Sequence, residues 1–370
     1  MQIHLSRPDI TEAEIQAACA VLRSPDLALG PKVSEFERAF AQYIGRRRAV
    51  TVNSGTSALF LCLSALGIGP GDEVITTPFT FISSATSIMM TGAKPVFVDI
   101  DPVSLNLDPA NIEPAITAKT KAILAVEIFG NPVGLDNICK IAAKHNLLVI
   151  EDGCEALGSA LDGKKVGTFG TMSVFGFYPN KQITTGEGGM ILTDDDSLAD
   201  MCISLRNQGR GEGGGWLAHE RLGYNFRLSD INCAIGIVQL SRIDEIKANR
   251  SQVARWYRQM LASDERLVVP VEPDKCDLSW FVFVVRLADG FTLEKRNQIL
   301  KQMTSHNIQA SNYFPPVHLQ PFIAEQFGHE RGDFPITESV SERTIALPFY
   351  NNLPKDQVAI VCKVLKQLLG

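Results

Sequence analysis

The chain has 370 residues, 45% of them apolar and 21% charged, an ordinary globular balance with length enough for two packed domains. A formal net charge of −6 gives no footing for a nucleic-acid or membrane-surface partner, and no apolar run approaches the roughly 18 residues of a membrane span. No basic-then-apolar leader opens MQIHLSRPDITEAEIQ, and eight cysteines are scattered without a CxxC pair, as expected of reduced thiols in a cytoplasmic protein.

In chain order, Thr11-Glu12-Ala13-Glu14 fits a capping box that opens a helix toward Leu22, the threonine accepting from the Glu14 amide while Glu14 reaches back. Gly30-Pro31 is a turn whose proline suits a first helical position, and VSEFERAFAQYIG follows at helical period until Gly45 stops it. Strand and helix readings then alternate. RAVTVNS reads as a strand, TSALFLCLSALGI as a helix, GPGDE as a turn and EVITTP as a strand. A helix from about Ser83 to Thr91 follows, then the strands KPVFVDI and KAILAVEIF, a helix from Asp136 to His145 and the strand LLVIED. The strands are apolar throughout instead of alternating, the pattern of a mostly parallel sheet covered by helices, so the chain is expected to be α/β.

After about Ser229 the character changes. INCAIGIVQLSRIDEIKANRSQVARWYRQML reads as one long helix linking two domains. The run WFVFVVRL (Trp280–Leu287), a helix from Leu293 to about His306 and a last helix from Lys355 to Leu369 suggest a smaller α+β domain. The expected division is therefore residues 1–240 and 241–370. There is no internal repeat, and GRGEGGG (Gly209–Gly215) reads as a mobile loop.

Two glycine motifs are set aside. Gly209, Gly211 and Gly214 satisfy GxGxxG, but a dinucleotide fingerprint follows a strand and opens a helix, whereas this one follows the helical LADMCISLRNQ. GSALDGKK (Gly158–Lys165) ends in Lys165 where a phosphate loop needs a hydroxyl for Mg²⁺, which leaves a polar turn.

Three segments carry chemistry. Asn53-Ser54-Gly55-Thr56-Ser57 joins a strand to a helix, and its small residues leave amides and hydroxyls free at a positive helix end that favours a phosphate; the alternative is an ordinary N-cap by Ser54 or Thr56. LLVIEDG leaves Glu151 and Asp152 at the carboxyl end of a parallel strand, where open α/β sheets place ligands, and the apolar run before them argues against a surface acidic pair. In FGFYPNKQITTGEGG, Lys181 follows Phe175, Phe177 and Tyr178, aromatic neighbours that would partly desolvate it and free its amine as a nucleophile; the alternative is a lysine snorkelling out of an apolar surface. An amine for an aldehyde, an acid for an aromatic nitrogen and a helix end for a phosphate together describe pyridoxal 5′-phosphate.

The segments LSRPDITEAEI, LGPKVSEFERAFAQYIG, NSGTSALFLCLSALGIGPGDEVI, TPFTF, EDGCEALGS, FYPNKQITTGEGGMILT, LGYNFRLSDINCAIGIVQL and YFPPVHLQPF follow in this order. Through them the chain resembles, almost end to end, the DegT/StrS sugar-nucleotide aminotransferases, fold-type I pyridoxal-phosphate enzymes. The resemblance implies an aminotransferase-like large domain with a mostly parallel sheet plus a smaller C-terminal α+β domain. It implies Lys181 as the Schiff-base lysine and proton shuttle, Asp152 as partner of the pyridine nitrogen, and Phe81 as the aromatic stacked on the ring. It implies Gly55, Thr56 and Ser57 as the phosphate turn, and Asn225 as a residue reaching the phosphate from the neighbouring subunit of a homodimer. Tyr313 and His318 match positions close to the sugar nucleotide. The implied reaction moves an amino group, from L-glutamate in most of the family, to a nucleotide-linked keto-sugar.

Two positions depart from the family pattern. A serine that often ligates the phosphate is replaced by Gly176, leaving Ser173 or Ser57 to compensate, and Gln or His near the ring hydroxyl is replaced by Glu155. A carboxyl there needs a raised pKa if it is to donate a hydrogen bond. The related sugar dehydrases carry histidine in place of the lysine, so Lys181 argues against that chemistry, and Lys181 with Asp152 argues against a non-catalytic regulator.

Overall fold

The computed structural model describes residues 2–211 and 218–370, so most of the loop expected at Gly209–Gly215 lies outside the described residues. Local chemistry sets the opening elements. Thr11 caps α1 (Glu12–Leu22), and Glu14 returns a carboxylate oxygen to the Thr11 amide at 2.7 Å, completing the box. Pro31 starts α2 (Pro31–Ile44), and Gly45 ends it in the left-handed region at φ 96°.

The alternation then runs β1 (Arg48–Val52), α3 (Gly55–Ala65), β2 (Glu73–Thr76), α4 (Ser83–Met90), β3 (Lys94–Phe97), β4 (Thr120–Val126), α5 (Leu135–Lys144) and β5 (Leu148–Asp152). Short strands β6 (Ala160–Leu161) and β7 (Lys164–Lys165) form a hairpin over Asp162 and Gly163, both at positive φ, so GSALDGKK is a tight turn and not a phosphate loop. Next come β8 (Met172–Gly176), β9 (Gly189–Thr193), α6 (Asp196–Arg206), α7 (Asp230–Ser241) and α8 (Ile243–Leu261). The remainder holds β10 (Leu267–Val268), β11 (Cys276–Asp277), β12 (Phe283–Leu287), α9 (Leu293–Ser305), α10 (Pro321–Phe327), α11 (Pro335–Ser341), β13 (Thr344–Leu347) and α12 (Lys355–Leu369).

Seven strands form one sheet in the order β1-β9-β8-β5-β4-β2-β3. Its pairings are parallel from β3 through β2, β4 and β5 to β8, while β9 runs antiparallel to both β8 and β1. Because β8 and β9 are antiparallel neighbours, the loop joining them never leaves the carboxyl end of the sheet, and Lys181 sits in that loop. One face packs Ile150, Val174 and Leu124 against Leu59 and Leu63 of α3 and Cys202 of α6. On the other face, Phe175 and Leu192 meet Phe36 and Phe40 of α2, while Ile123 and Val149 meet Ile138 of α5.

A separate cluster joins Tyr257 and Leu261 of α8 to Phe283 and Val285 of β12, Ile299 of α9 and Val361 of α12. The long helix read after Ser229 is in fact two, α7 and α8, broken at Arg242 (φ −101°, ψ 7°), whose guanidinium reaches back to Asp9 and Glu14. The run from Trp280 becomes strand only at Phe283; the residues before it belong to the site below. All eight cysteines are free thiols, and no helix among the described residues is long and apolar enough to cross a membrane.

Candidate active site

β5 ends in two acids that face opposite sides of the sheet, as successive strand residues must. Glu151 accepts from the amides of Gly167 and Phe169 at 2.7 Å and of Gly170 at 2.6 Å, so it buttresses the turn leading into β8. Asp152 points the other way, toward α4. Its Oδ2 accepts from the Ser84 hydroxyl at 2.8 Å, whereas Oδ1 is met only by the Cys154 amide at 3.4 Å. Oδ1 is left able to accept from a further donor.

Lys181 is 15% exposed at its side chain, with Nζ 3.7 Å from Glu155 Oε1 and 4.0 Å from the centre of the Phe281 ring. Glu155 Oε2 accepts from the Phe129 amide at 2.8 Å. Burial pushes the Glu155 carboxyl up, and the Lys181 charge opposes that rise. The aromatic setting of the lysine differs from the one expected. Phe175 and Phe177 are buried on the far face with Phe36 and Phe40, and Tyr178 is exposed. The reason is strand alternation followed by a turn, which points the residues just before the lysine away from it. The ring that meets the amine, Phe281, comes from 100 residues further along.

The N-terminus of α3 lies against the end of β8. Ser54 is its N-cap, accepting from the Ser57 amide at 3.1 Å and donating to the Ser57 hydroxyl at 2.9 Å. The amides of Gly55 and Thr56 make no hydrogen bond within the described residues, and both belong to the positive first turn of an eleven-residue helix. A Cβ on Gly55 would stand 2.9 Å from Cys154 Sγ, and one on Gly176 would stand 3.3 Å from it. A serine side chain at Gly176 would therefore press on this sulfur, which would have to give by a few tenths of an ångström. Burial pushes the Cys154 thiol well up, with Asp152, Lys181 and Glu155 all within its electrostatic reach. Cys154 thus links the end of β5, through its amide on Asp152, to the start of α3, through its sulfur beside Gly55.

Ser173 is not brought to this point. It lies an odd number of residues from Gly176 on the same strand, faces the other side, and donates its hydroxyl to the Gly167 carbonyl at 2.9 Å. Ser57 is at the helix end. Phe81 is 58% exposed on the turn between β2 and α4, three residues before Ser84. Tyr313 lies beside Asn180 of the lysine loop, and burial, then Glu155, pushes its phenol up. Asn225 is exposed, paired by backbone with Asn207. His318 is fully buried, with Nε2 3.1 Å from Glu338 Oε1 on α11, and burial lowers its imidazole.

Several residues of this site carry no readable sign in the sequence. Ser84 opens a helix and Phe281 precedes a strand, so each reads as an ordinary member of its element. Arg250 and Gln182, whose side chains bond main-chain carbonyls around Lys181, are polar residues in a helix and a loop.

The donor set fits pyridoxal 5′-phosphate. An acid with one open oxygen, a lysine amine held against a ring, and two amides at a helix start without partners among the described residues all lie at the carboxyl end of the sheet. A model of the DegT/DnrJ/EryC1/StrS aminotransferase family matches residues 8–366. The chain is 40% identical to GDP-perosamine synthase of Caulobacter vibrioides over 92% of its length and 91% of that protein's. Among solved structures it is similar to PseC of Helicobacter pylori, an aminotransferase involved in the biosynthesis of pseudoaminic acid, with a TM-score of 0.94, 28% identity and 100% and 99% of the two chains covered. The PLP form of Spr1654 from Streptococcus pneumoniae superposes with a TM-score of 0.95 at 28% identity, covering 100% and 99%.

Proposed function

The chain belongs to the DegT/DnrJ/EryC1/StrS family of pyridoxal-phosphate-dependent sugar aminotransferases, and from that premise we propose that it moves an amino group from L-glutamate to a nucleotide-linked keto-sugar of the 3- or 4-keto-6-deoxy type. The observation that carries this reading is the meeting of Asp152, Lys181 and the start of α3 at one end of the sheet. The sugar product belongs to surface polysaccharide, glycan or antibiotic biosynthesis. The kinship to a GDP-perosamine synthase supports that choice.

Each residue then has a task. Gly55, Thr56 and Ser57 would hold the phosphate with amides and hydroxyls, and Asp152 Oδ1 would accept the proton of the ring nitrogen. Phe81, exposed on the turn before α4, would cover a face of the ring. Glu155, its carboxyl raised by burial, donates toward the ring hydroxyl. When bound, the cofactor supplies an aldehyde for the amine and a ring that takes up the electron pair left at the donor's α-carbon.

Lys181 Nζ accepts the proton from that α-carbon as general base and later delivers it as general acid. The Phe281 face flanks the amine while it carries the proton, which favours the charged form at that stage. Tyr313 lines the sugar side, and His318, held by Glu338, supports the segment that carries it. Asn225, exposed on its loop, reaches the phosphate of the neighbouring protomer in a homodimer.

The residues divide near position 240. The first turn of α8 packs Ile243 and Ile246 with the large-sheet cluster and its later turns pack with the C-terminal one, which supports α8 as the linking helix.

Cofactor-loaded protein is expected to lose its visible absorbance on addition of L-glutamate and to regain it with a keto-sugar nucleotide from a test panel. Lys181→Ala is expected to show neither change. Full turnover by that variant would remove the lysine from its role.

A further inference from the structure

Arg250 sits in the middle of α8 with 2% of its surface exposed, and carbonyls answer its guanidinium. Nη1 donates to Phe281 at 2.9 Å and to Trp280 at 3.3 Å, Nη2 donates to Lys181 at 3.0 Å, and Nε has no partner. Burial lowers the guanidinium to about 10, which leaves it charged at neutral pH. A buried cation held by neutral dipoles is an expensive arrangement. Its geometry shows what it achieves. The two carbonyls it joins most closely belong to the two residues whose side chains meet at the amine, Lys181 and Phe281, with Nζ 4.0 Å from the ring centre.

One residue further on, Gln182 repeats the device. Its Nε2 donates to the Glu155 carbonyl at 2.6 Å and to the Ser279 carbonyl at 2.9 Å. Residues 181–182, residues 279–281 and the backbone of Glu155 are thereby stitched together by two planar groups.

We propose that Arg250 is a positioning residue for Lys181: by bridging the main-chain carbonyls of Lys181 and Phe281, it sets the lysine amine against the face of the Phe281 ring and so aims it at the aldehyde of the cofactor. The proposal rests on Lys181 being the residue that captures the aldehyde. A lysine side chain has four rotatable bonds, and its amine adopts one direction only if the main chain beneath it and the ring beside it are fixed to each other. The guanidinium fork does this because its donors diverge in one rigid plane. A lysine at 250 keeps the charge but presents a compact ammonium on a flexible stem, which does not hold both carbonyls in register.

The test compares two forms of the cofactor on apo-protein. Pyridoxal 5′-phosphate is captured covalently: Nζ joins the aldehyde carbon with loss of one water, and hydride from borohydride makes the adduct permanent for mass measurement. Pyridoxamine 5′-phosphate has no aldehyde and binds without using the lysine. For Arg250→Lys, the capture rate is expected to fall about 10–100-fold, as a displacement of about 1 Å costs in a near-attack geometry, while affinity for the amine form changes less than about twofold. A merely structural role for Arg250 weakens both in parallel, and parallel loss, or no loss of capture, overturns the proposal.

Should Arg250→Lys fail to fold, Phe281→Leu, which keeps the bridged carbonyls, is measured on the same two arms. It must show the same split, and parallel loss or none overturns the proposal there too. Lys181→Ala is run alongside. An adduct that persists in it removes the reading of Lys181 itself, whatever the Arg250 variant shows.

Discussion

A Cβ on Gly176 stands 3.3 Å from Cys154 Sγ, so the serine familiar at this place in the family cannot enter without moving the sulfur. Gly176→Ser is expected to lower cofactor affinity several-fold and to destabilise the protein by about 1–3 kcal/mol, the range for overpacking. Cys154→Ala vacates the space, and the double variant is expected to bind the cofactor at least as tightly as the parent. Fluorescence titration of apo-protein checks both, and a tighter-binding Gly176→Ser alone would contradict the packing account. Asp152→Asn keeps the size of the side chain and loses its charge. Glutamate-dependent turnover should fall about 10–1000-fold, the equivalent of the support one close carboxylate gives a protonated ring nitrogen. Steady-state kinetics on cofactor-saturated protein measures it. Lys181 and Asp152 stand out in the sequence because each ends or follows an apolar run. Phe281 does not, since a phenylalanine before a strand reads as core, and only the fold reveals that its face meets an amine.

At the scale of elements, one carboxylate serves two helices. Asp230 opens α7 and also accepts from the amides of Gly30 and Lys32 at 2.8 and 2.9 Å, capping α2 from 200 residues away. α2 has no side-chain cap of its own at Gly30, which is why the borrowed one matters. Asp230→Ala should lower stability by about 1–2 kcal/mol, seen as a reduced Tm, because it leaves two half-buried amides of the first turn of α2 without their acceptor. Pro31 and Gly45 announced this helix in the sequence, and its distant cap could not be announced. The same limit explains the break between α7 and α8. No glycine or proline marks it, and the residue at the break, Arg242, is drawn toward Asp9 and Glu14 on a segment more than 200 residues earlier.

For the molecule as a whole, the network at Arg242 ties the N-terminal segment to the junction of α7 and α8. Glu14 Oε1 accepts from Arg242 Nη1 and Gln239 Nε2, both at 2.8 Å, and Asp9 Oδ2 takes Arg242 Nη2 at 2.9 Å. Burial alone would raise the Glu14 carboxyl, but hydrogen bonds from Thr11, Gln239 and Arg242 outweigh it and hold the group at about 2, against an ordinary 4.5. A carboxyl depressed in the folded state contributes stability that is complete above its unfolded pKa and lost as pH falls through the folded one. The window therefore runs from about 4.5 down to about 2, and the contribution is about 3 kcal/mol. Thermal unfolding followed from neutral pH into that window should show the parent losing stability. Glu14→Gln should start lower and lose less over the same interval, and identical slopes would remove Glu14 from the acid response.

The sequence by itself determined the class of fold, most of the order of elements in the large domain and the two residues, Lys181 and Asp152, proposed to carry the chemistry. These follow from nearest-neighbour physics: period, capping, turn residues and the apolar runs of a parallel sheet. The tertiary structure alone decided which surfaces meet. It turned Ser173 away from the helix end, set the Cys154 sulfur tight against Gly176, buried His318 against Glu338, and set Arg250 beneath Lys181. Those outcomes depend on which way a side chain points from its strand and on contacts across 20 to 200 residues, and a single chain read in order carries no distance between positions so far apart.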